Sequence, residues 1–282
     1  MPFTTLIDTA ALSTLSHDRA AVLVDCRYSL DDRSWGGREY GTAHIPGALF
    51  ADMDDDLSGP KSGKNGRHPL PDIARLSATF GQWGIERGVQ VVAYDQDAGM
   101  YASRLWWLLR WLGHDAAAVL DGGFAKGRAE GRPTVGGDET AAPRQFVASP
   151  RPDMMADAET VGTIAGRQEW RLLDARAPER FRGEVEPIDP VAGHIPGASS
   201  HPYRSNVTAD ATFLPAGQLA AHLRGSLGGV APDRAVCYCG SGVTACQLLL
   251  AFEHAGLPGA KLYPGSWSEW VSDPGRGVAT GA

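Results

Sequence analysis

The stretch "AVCYCGSGVTACQLLLAF", residues 235–252, places a cysteine directly between an apolar strand and an apolar helix. The run up to Tyr238 is short and apolar, as in a buried strand, and the long apolar run after the loop is typical of a buried helix. Cys239 stands at the junction and is followed by Gly-Ser-Gly. A cysteine that only fills a core needs no such loop, whereas a reactive thiolate needs hydrogen-bond donors around it. The stretch therefore predicts a reactive cysteine at a strand-to-helix turn.

The composition of the chain is that of a globular protein, with 282 residues, 43% hydrophobic residues and 21% charged residues. This length is sufficient for two domains of ordinary size. The net charge of −7 gives no electrostatic basis for binding nucleic acid or an anionic membrane surface. No apolar run approaches the ~20 residues of a membrane helix, and the first residues lack the layout of a secretory signal. We therefore expect a cytoplasmic protein without nucleic-acid or membrane partners.

The four cysteines, Cys26, Cys237, Cys239 and Cys246, are too few and too clustered for a disulfide framework. The last three lack the paired spacing of structural zinc sites, and no histidine lies at ligand spacing. Successive side chains of a strand point to opposite faces, so Cys237 and Cys239 diverge if the strand continues through them. We expect no metal site, and we interpret Cys237 and Cys246 as core residues.

The sequence contains an internal repeat, because the second half resembles the first. Four features occur in both halves. They are an apolar strand that ends in aspartate, a His-Ile-Pro-Gly-Ala turn, a strand–turn–helix unit, and a glycine turn before an aromatic residue. The paired segments are "AVLVDCR" (21–27) with "RLLDAR" (171–176), "AHIPGA" (43–48) with "GHIPGA" (193–198), and "LDGGF" (120–124) with "YPGSW" (263–267). Short apolar strands that alternate with helices predict βαβ units on a mostly parallel sheet.

The segment between the two halves, "GRAEGRPTVGGDETAAPRQ", is rich in glycine, proline and charge and has no periodicity. This composition is typical of a linker. The sequence therefore predicts an α/β protein of two tandem domains, each a mostly parallel sheet flanked by helices. We place the first domain at residues 1–128, the linker at 129–157 and the second domain at 158–282.

Taken together, the doubled "HIPGA", the loop "CGSGVTA", "LDGGF" and "YPGSWSEW" resemble the two-domain rhodanese-type sulfurtransferases, the 3-mercaptopyruvate and thiosulfate sulfurtransferase family. The resemblance covers essentially the whole chain. It implies two rhodanese-like domains, with the active cysteine in the second domain only. When the turns are aligned, Asp95 stands opposite Cys239. Because a carboxylate cannot carry a sulfane sulfur, we expect the first domain to be catalytically silent.

The chemistry that the resemblance implies is a double displacement. Cys239 takes a sulfur atom from a small-molecule donor, holds it as a persulfide and passes it to cyanide, a small thiol or thioredoxin. No cofactor is implied. A free cysteine, with a pKa of ~8.5, is mostly protonated at neutral pH, so the loop must favour the thiolate. The expected donors are the backbone amides and hydroxyls of the loop and the start of the next helix, namely Gly240, Ser241, Gly242, Val243 and Thr244.

The loop after Cys239 carries no charge, and in this it resembles 3-mercaptopyruvate sulfurtransferases, whereas a basic loop goes with thiosulfate. A donor with one carboxylate needs an arginine from elsewhere. Arg180 of "APERFRG" matches the family position, and its neighbour Arg182 is the alternative. Ile188 stands where mercaptopyruvate members carry a second arginine. Thiosulfate:cyanide sulfur transfer therefore remains open as the main activity.

Two further residues enter through the resemblance. His44 matches a histidine that would form a serine-centred triad with Ser241 and an aspartate, and Tyr101 matches a residue near the cleft. His44 is equally well explained as a turn histidine, because His194 occupies the same motif in the second half. Packing explains Tyr101 nearly as well as a functional role does.

Two other classes of protein fit the sequence less well than a sulfurtransferase. Cysteine-dependent phosphatases need an arginine six residues after the cysteine to bind phosphate, and Ala245 stands there. A non-catalytic rhodanese module that only binds or regulates would have no need of an intact Cys239 loop. The sequence therefore favours an enzyme.

Overall fold

Each half of the chain builds a parallel β-sheet covered by helices, and the structure, a computed structural model, describes residues 2–17 and 21–282. The chain divides into two compact units, which are described separately. The N-terminal unit comprises Met1–Gly59, Pro71–Arg151 and Ala209–Phe213. The C-terminal unit comprises Pro60–Leu70, Pro152–Thr208 and Leu214–Ala282.

The N-terminal unit contains five parallel strands in the order β1-β5-β4-β2-β3. The strands are β1 (Leu6–Ile7), β2 (Ala21–Asp25), β3 (Ala48–Phe50), β4 (Gln90–Tyr94) and β5 (Ala117–Leu120). The helices are α1 (Thr9–His17), α2 (Trp35–Thr42), α3 (Ile73–Gln82), α4 (Ala102–Trp111) and α5 (Gly123–Ala129). Strand β4 is central and buried throughout, because helices cover both faces of a parallel sheet.

The C-terminal unit repeats this plan with four parallel strands in the order β7-β6-β8-β9. The strands are β6 (Arg171–Asp174), β7 (Ser199–Ser200), β8 (Ala235–Tyr238) and β9 (Lys261–Leu262). The helices are α6 (Ala158–Ile164), α7 (Pro178–Phe181), α8 (Ala216–Leu227), α9 (Thr244–His254) and α10 (Ser266–Trp270), with short 3-10 turns at Pro152–Met154, Tyr203–Asn206 and Pro232–Arg234. A parallel bridge between Met155 and Leu262 takes the place of β1.

The core of each unit follows from the apolar runs that the sequence shows. Residues Ala245 to Phe252 of α9 are all buried, and the tryptophans of α4 are buried as well. These helices are apolar on nearly every side because one face packs on the sheet and the others on further elements.

Both units carry the same buried ion pair at the end of the strand beside the central one, which is β2 in the N-terminal unit and β6 in the C-terminal unit. Arg27 binds Asp25 with a shortest distance of 2.7 Å, and Arg176 binds Asp174 at 2.6 Å. Each guanidinium is held in two-pronged fashion and also lies over an aromatic ring, 4.1 Å and 4.8 Å from the ring centroid. Removing one partner of such a buried pair typically costs about 3–5 kcal/mol. The repeated pair fixes the chain near the end of the sheet at which each central strand terminates.

The segment 129–157, predicted as a linker, follows the N-terminal unit as far as Arg151. The amides of Arg144, Ser149 and Arg151 donate to carbonyls at the ends of α3 and α4, and Phe146 packs edge-to-face on Phe80. This segment is held by hydrogen bonds from its backbone N–H groups to carbonyls at the C-terminal ends of α3 and α4, which have no partner within their own helices.

The predicted fold class is confirmed, since two α/β repeats with parallel sheets are present. Among the helices of the described residues, none is long and apolar enough to cross a membrane.

Candidate active site

Cys239 is the first residue after the central strand β8, at the carboxyl edge of the sheet, where open α/β folds bind their ligands. Only 2% of its surface is exposed. Its backbone N–H donates to Ser266 Oγ at 3.1 Å, and its carbonyl accepts the N–H of Trp267 at 3.0 Å. Two contacts from the start of α10 therefore fix the backbone of Cys239 from both sides.

Ser266, which holds the Cys239 amide, has a left-handed backbone with φ of +54°. Its hydroxyl also donates to the carbonyl of Tyr263 at 2.9 Å. A left-handed conformation costs a residue with a side chain roughly 1–2 kcal/mol. The equivalent position of the N-terminal unit is Gly123, with φ of +57°, which adopts this conformation without strain. Only the unit that contains the cysteine places a side chain at this strained position.

Glycine is required at two positions of the loop, for a different physical reason at each. Gly242 has φ of +76°, and a Cβ there would overlap the carbonyl oxygen of Pro264. Gly240 does not adopt a positive φ, but a Cβ at this position would lie 2.6 Å from Nη2 of Arg67. Glycine at 240 therefore makes room for a guanidinium rather than for a backbone turn.

The equivalent turn of the N-terminal unit shows that this loop geometry binds an anion. Asp95 Oδ1 accepts the amides of Asp97 at 3.1 Å and Gly99 at 3.0 Å, while Oδ2 accepts those of Tyr101 at 2.7 Å and Ala102 at 3.1 Å. Burial raises the pKa of the Asp95 carboxyl above its ordinary value, and the amide hydrogen bonds partly oppose this shift. Four amides thus converge on the position that corresponds to the side chain of Cys239.

The two turns share features at Gly99 and Gly242 and in the residues that follow them. Gly99 has φ of +72° and Gly242 has φ of +76°. Ser103 donates its hydroxyl to the Gly99 carbonyl at 2.6 Å, and Cys246 donates its thiol to the Gly242 carbonyl at 3.3 Å. Three residues separate Asp95 from Gly99, but only two separate Cys239 from Gly242. The loop after Cys239 is therefore one residue shorter than the loop after Asp95.

Ser241, the predicted hydroxyl donor, forms a hydrogen bond with His68, whose Nδ1 lies 2.8 Å from Ser241 Oγ. Both side chains are buried, with 6% and 4% exposure. His68 belongs to the C-terminal unit although it lies 173 residues upstream of Ser241. Sequence reasoning missed His68, because the irregular "NGRHPLP" segment carries no periodicity or motif that points to the loop.

His44, the histidine that the sequence put forward as the partner of Ser241, has contacts within the N-terminal unit. It is fully buried, its Nδ1 lies 2.8 Å from the Tyr40 carbonyl, and its ring stacks on Tyr40. His194 makes the same contacts in the C-terminal unit, with Nδ1 2.7 Å from the Phe181 carbonyl and its ring stacked on Phe181. Since the pair repeats in the unit without the cysteine, the geometry supports a turn role for both histidines.

Arg180 lies at the loop that follows Cys239, and Arg182 makes its contacts elsewhere. Both Nη atoms of Arg180 lie 3.6 Å from the position of a Cβ on Gly240. Arg182 instead binds the exposed carboxylate of Glu184 at 2.7 Å and 2.8 Å. Of the two candidates from the sequence, Arg180 is therefore the one that the structure brings to the loop.

Arg180 is held by two carboxylates that it shares with neighbouring arginines. It binds Glu186 at 2.6 Å and Asp189 at 3.3 Å, and Asp189 also binds Arg67. Burial would raise the pKa of Glu186, but the hydrogen bonds from Arg180 and from the Asp189 amide outweigh it and lower this pKa below its ordinary value. The guanidinium of Arg180 therefore faces an ionised carboxylate.

The ion pairs continue inward to the strand end. Glu186 accepts a bond from Arg176 at 3.2 Å, and Arg176 is paired with Asp174. An alternating row of three carboxylates and three guanidiniums thus joins β6 to the loop that follows Cys239. In the N-terminal unit, Asp25 is the one ion-pair partner of Arg27 that the described residues provide. The extension of the pair into a row is specific to the unit with Cys239.

The remaining predicted residue, Tyr101, lies in the N-terminal unit at the start of α4. It is buried and packs edge-to-face on Tyr28, with ring centroids 5.3 Å apart. Its amide contributes to the group that binds Asp95. These contacts are what packing at the start of a helix provides.

The other thiols differ from Cys239 in having no amide loop. Burial raises the pKa of the Cys237 thiol and of the Cys26 thiol well above the ordinary value. The Cys246 thiol donates to a backbone carbonyl in the first turn of α9. Desolvated thiols of this kind stay protonated and unreactive at neutral pH.

Comparison with known proteins agrees with this geometry. The sequence model of the rhodanese-like domain matches residues 8–130 and 157–273. The chain therefore belongs to the rhodanese family. It contains two such domains and is a sulfurtransferase, as the resemblance implied.

Individual relatives cover nearly the whole chain. A Pseudomonas aeruginosa protein named "Probable 3-mercaptopyruvate sulfurtransferase" is 49% identical over 262 residues, which is 92% of each chain. An Arabidopsis thaliana protein named "Thiosulfate/3-mercaptopyruvate sulfurtransferase 2" is 33% identical over 261 residues, or 84% of this chain and 75% of its own. The solved structure of SseA from Escherichia coli, described as a 3-mercaptopyruvate sulfotransferase, has a TM-score of 0.81 and 28% identity over 94% of this chain and 99% of its own.

Proposed function

We propose that this sulfurtransferase takes its sulfur from 3-mercaptopyruvate, holds it as a persulfide on Cys239 and passes it to cyanide or a thiol. One observation supports this most directly. The turn that carries Cys239 has, in the N-terminal unit, a counterpart whose four amides bind the Asp95 carboxylate at 2.7–3.1 Å. The same arrangement of amides suits a thiolate and the terminal anionic sulfur of a persulfide.

The first step balances without any further reactant. The Cys239 thiolate attacks the sulfur of the donor, the carbon–sulfur bond breaks, and its electron pair leaves as the enolate of pyruvate. The S–H proton of the new persulfide is then transferred to the enolate carbon, which leaves pyruvate and an anionic persulfide. Ser241 and His68, 2.8 Å apart, are suited to carry that proton, because imidazole exchanges protons readily near neutral pH.

The second step regenerates the enzyme. An acceptor such as cyanide attacks the terminal sulfur, the sulfur–sulfur bond breaks, and thiocyanate leaves while Cys239 returns to the thiolate. Small thiols and thioredoxin are acceptors of the same kind, since each presents a thiolate. Neither step of this mechanism requires a metal or a cofactor. All four cysteines are free, and we place the protein in the cytoplasm, where thiols stay reduced.

The N-terminal domain takes no part in the covalent chemistry. Its turn holds Asp95, and the amides that would stabilise a sulfur anion are already bound to that carboxylate. We propose that it is the silent half of the enzyme, with His44 as a turn residue. A purely regulatory module, the alternative from another class, would need neither the Cys239 loop nor the strained Ser266 that holds it.

Mass spectrometry of the intact protein tests the proposal. Incubation with 3-mercaptopyruvate should add the mass of one sulfur atom at Cys239, and cyanide should remove it. Cys239→Ser should abolish both the added mass and turnover, while Cys246→Ser, in the first turn of α9, serves as the control. Sulfur on a different cysteine, or turnover by Cys239→Ser, would contradict the proposal. Faster loading from thiosulfate would favour thiosulfate:cyanide sulfur transfer as the main activity.

A further inference from the structure

The N-terminal unit contains a cavity of about 280 Å³ between α1, α5 and the end of β5. Its wall is largely apolar and includes Leu12, Ile45, Leu120 and Phe124. Pro133 and Thr134 at its edge are exposed, so a small molecule can enter. An apolar cavity of about 150 Å³ is enough to bind benzene, so the volume here accommodates a bicyclic ring. None of the described residues that line it belongs to the loop of Cys239 or to the ion-pair row beside that loop.

The internal repeat shows what occupies the equivalent space in the C-terminal unit. The segment "LDGGFAKG" (120–127) aligns with "YPGSWSEW" (263–270), so Gly127 of α5 corresponds to Trp270 of α10. The Trp270 side chain is buried in the core of its unit, whereas Gly127 has no side chain and lines the cavity. The cavity therefore lies where the C-terminal unit has the indole ring of Trp270.

The wall that α1 forms repeats in the same way. Asp8 accepts the amide three residues further on at 2.7 Å at the start of α1, and Asp157 does so at 2.8 Å at the start of α6. Five residues after these aspartates lie Ser13, which lines the cavity, and Gly162, whose Cβ position would be 3.8 Å from Cη2 of Trp270. The surface that touches the Trp270 ring therefore has its counterpart in the wall of the cavity.

An arginine lies beside the ring in one unit and beside the cavity in the other. The guanidinium carbon of Arg276 is 5.4 Å from the ring centroid of Trp270. Arg276 stands three residues before Ala279, and Arg132 stands three residues before Val135. Ala279 and Val135 form the antiparallel bridges to the two turn histidines, so Arg132 is the counterpart of Arg276, and it lines the cavity. Because a guanidinium attracts an aromatic face, Arg132 can supply a cation–π contact to a ring bound there.

The residue after each of these arginines provides a hydrogen-bond acceptor. In the C-terminal unit, Trp270 Nε1 donates to the carbonyl of Gly277 at 2.8 Å. Pro133 is the counterpart of Gly277 and lines the cavity. A ligand ring in the place of Trp270 can therefore donate an N–H to the Pro133 carbonyl. Since a buried polar group without a partner costs free energy, this acceptor favours a ring with an N–H donor over a ring without one.

We propose that this cavity binds a free indole-type molecule, which is a flat bicyclic aromatic ring with one N–H donor. The ring occupies the place of the Trp270 side chain, between α1 and Arg132. Carbon atom 3 of the Trp270 ring is joined to the backbone of α10, and at the cavity the backbone of α5 at Gly127 takes up that space. A long substituent at this carbon, as in the tryptophan of a peptide, therefore does not fit. The site takes no part in the proposed sulfur transfer and gives the N-terminal unit a binding function of its own.

Isothermal titration calorimetry of the full chain with indole tests the proposal. We expect saturable binding of one indole per chain. Benzofuran, which has the same shape with a ring oxygen in place of the N–H, should bind about tenfold more weakly. N-acetyltryptophanamide carries a chain on carbon 3 and should not compete with indole. The absence of saturable indole binding, an equal affinity for benzofuran, or displacement of indole by N-acetyltryptophanamide would each overturn the proposal.

Gly127→Trp tests the location of the site, because the new indole ring would fill the cavity as Trp270 fills the equivalent space. A Cβ on Gly127 would be 4.0 Å from the nearest atoms, those of Arg132, so the side chain can be accommodated. Indole binding should be lost, and Tm should rise because the ring buries apolar surface. Gly217→Trp, at a glycine of α8 with no described atom within 4 Å of its Cβ position, is the matched control and should keep the indole affinity. Unchanged indole affinity in folded Gly127→Trp would overturn the site.

Arg132→Met is a second variant that introduces no new ring. The loss of the cation–π contact should weaken indole binding about threefold to thirtyfold. Arg224→Met, at an exposed position of α8, is the control and should bind indole as the unmodified protein does. Circular dichroism of each variant confirms that the fold is kept. Equal dissociation constants for indole in Arg132→Met and Arg224→Met would show that Arg132 does not contact the ligand, which would overturn the site.

Discussion

Replacing Ser266 by glycine should leave the fold nearly as stable as before and yet slow turnover. Ser266 has a left-handed backbone, and its hydroxyl accepts the Cys239 N–H at 3.1 Å and donates to Tyr263 at 2.9 Å. Glycine adopts the same backbone without strain, as Gly123 does in the silent domain with φ of +57°. The substitution therefore separates what this position contributes to folding from what it contributes to the cysteine.

Two opposing contributions decide the free energy of unfolding. Glycine relieves roughly 1–2 kcal/mol of left-handed strain. The lost hydroxyl leaves the buried Cys239 N–H without its acceptor, which costs about 1–3 kcal/mol. The free energy of unfolding should therefore fall by at most about 2 kcal/mol, which lowers Tm by a few degrees. A shift of the nucleophile by about 1 Å costs about a hundredfold in rate, so we expect kcat to fall about 10-fold to 100-fold.

Steady-state turnover of 3-mercaptopyruvate with cyanide, the alkylation rate of Cys239 and thermal unfolding measure these effects. Gly123→Ser is the mirror-image control. A Cβ on Gly123 would lie 2.7 Å from the Asp95 carbonyl oxygen and 2.9 Å from that of Asp97, so this variant should lose stability and keep its turnover. Unchanged kcat and unchanged alkylation in Ser266→Gly would refute the reasoning, because the hydroxyl would then have no effect on the cysteine.

Two further predictions concern the proton carrier and the silent turn. His68→Gln should lower kcat about 100-fold with 3-mercaptopyruvate and much less with thiosulfate, because the departing sulfite takes no proton. Equal losses of kcat with both donors, measured in parallel, would contradict the role of His68 in proton transfer. Asp95→Asn should lower the free energy of unfolding by about 1–3 kcal/mol, since its NH2 group would face two backbone N–H donors, while turnover of the folded enzyme is kept. Denaturant unfolding and kcat measured on the same sample check this, and a turnover loss as deep as that of Cys239→Ser would show that the first domain is not silent.

The fold could be predicted from the sequence because its main signals are local and occur twice. Each strand–turn–helix unit is a continuous stretch in which the apolar run of the strand leads into a glycine-containing turn. The structure confirms the central strands at Gln90–Tyr94 and Ala235–Tyr238, with Asp95 and Cys239 directly after them. The doubled pattern also implied parallel pairing, since both halves present βαβ order.

The site could be predicted only in part, because half of its side chains come from a segment without a local signal. Cys239 and Ser241 follow from the loop itself. Arg67 and His68 lie between glycine and proline in an irregular stretch that joins the C-terminal unit through tertiary contacts. No periodicity connects residues 173 positions apart, so these two residues become visible only in three dimensions.

For His44 the sequence left two roles open, a partner of Ser241 and a turn histidine. The His-Ile-Pro-Gly-Ala turn is repeated, and so are its contacts: a ring nitrogen bound to a carbonyl and a ring stacked on an aromatic side chain. These shared contacts support a turn role for both histidines, while the role of His44 beside Ser241 stays a prediction.

The Asp95 turn has a consequence for engineering a second active site into this chain. In the first domain, the backbone amides of the turn bind a carboxyl group of the same chain, that of Asp95. This carboxyl group occupies the space in which another anion could bind. Asp95→Cys would remove that carboxyl group, but the loop from position 95 to Gly99 would still be one residue longer than the loop from Cys239 to Gly242. Converting this half into a working enzyme would require a deletion between Asp95 and Gly99 together with a hydroxyl at Gly123. The two turns differ by a change of chain length, which no single point mutation reverses.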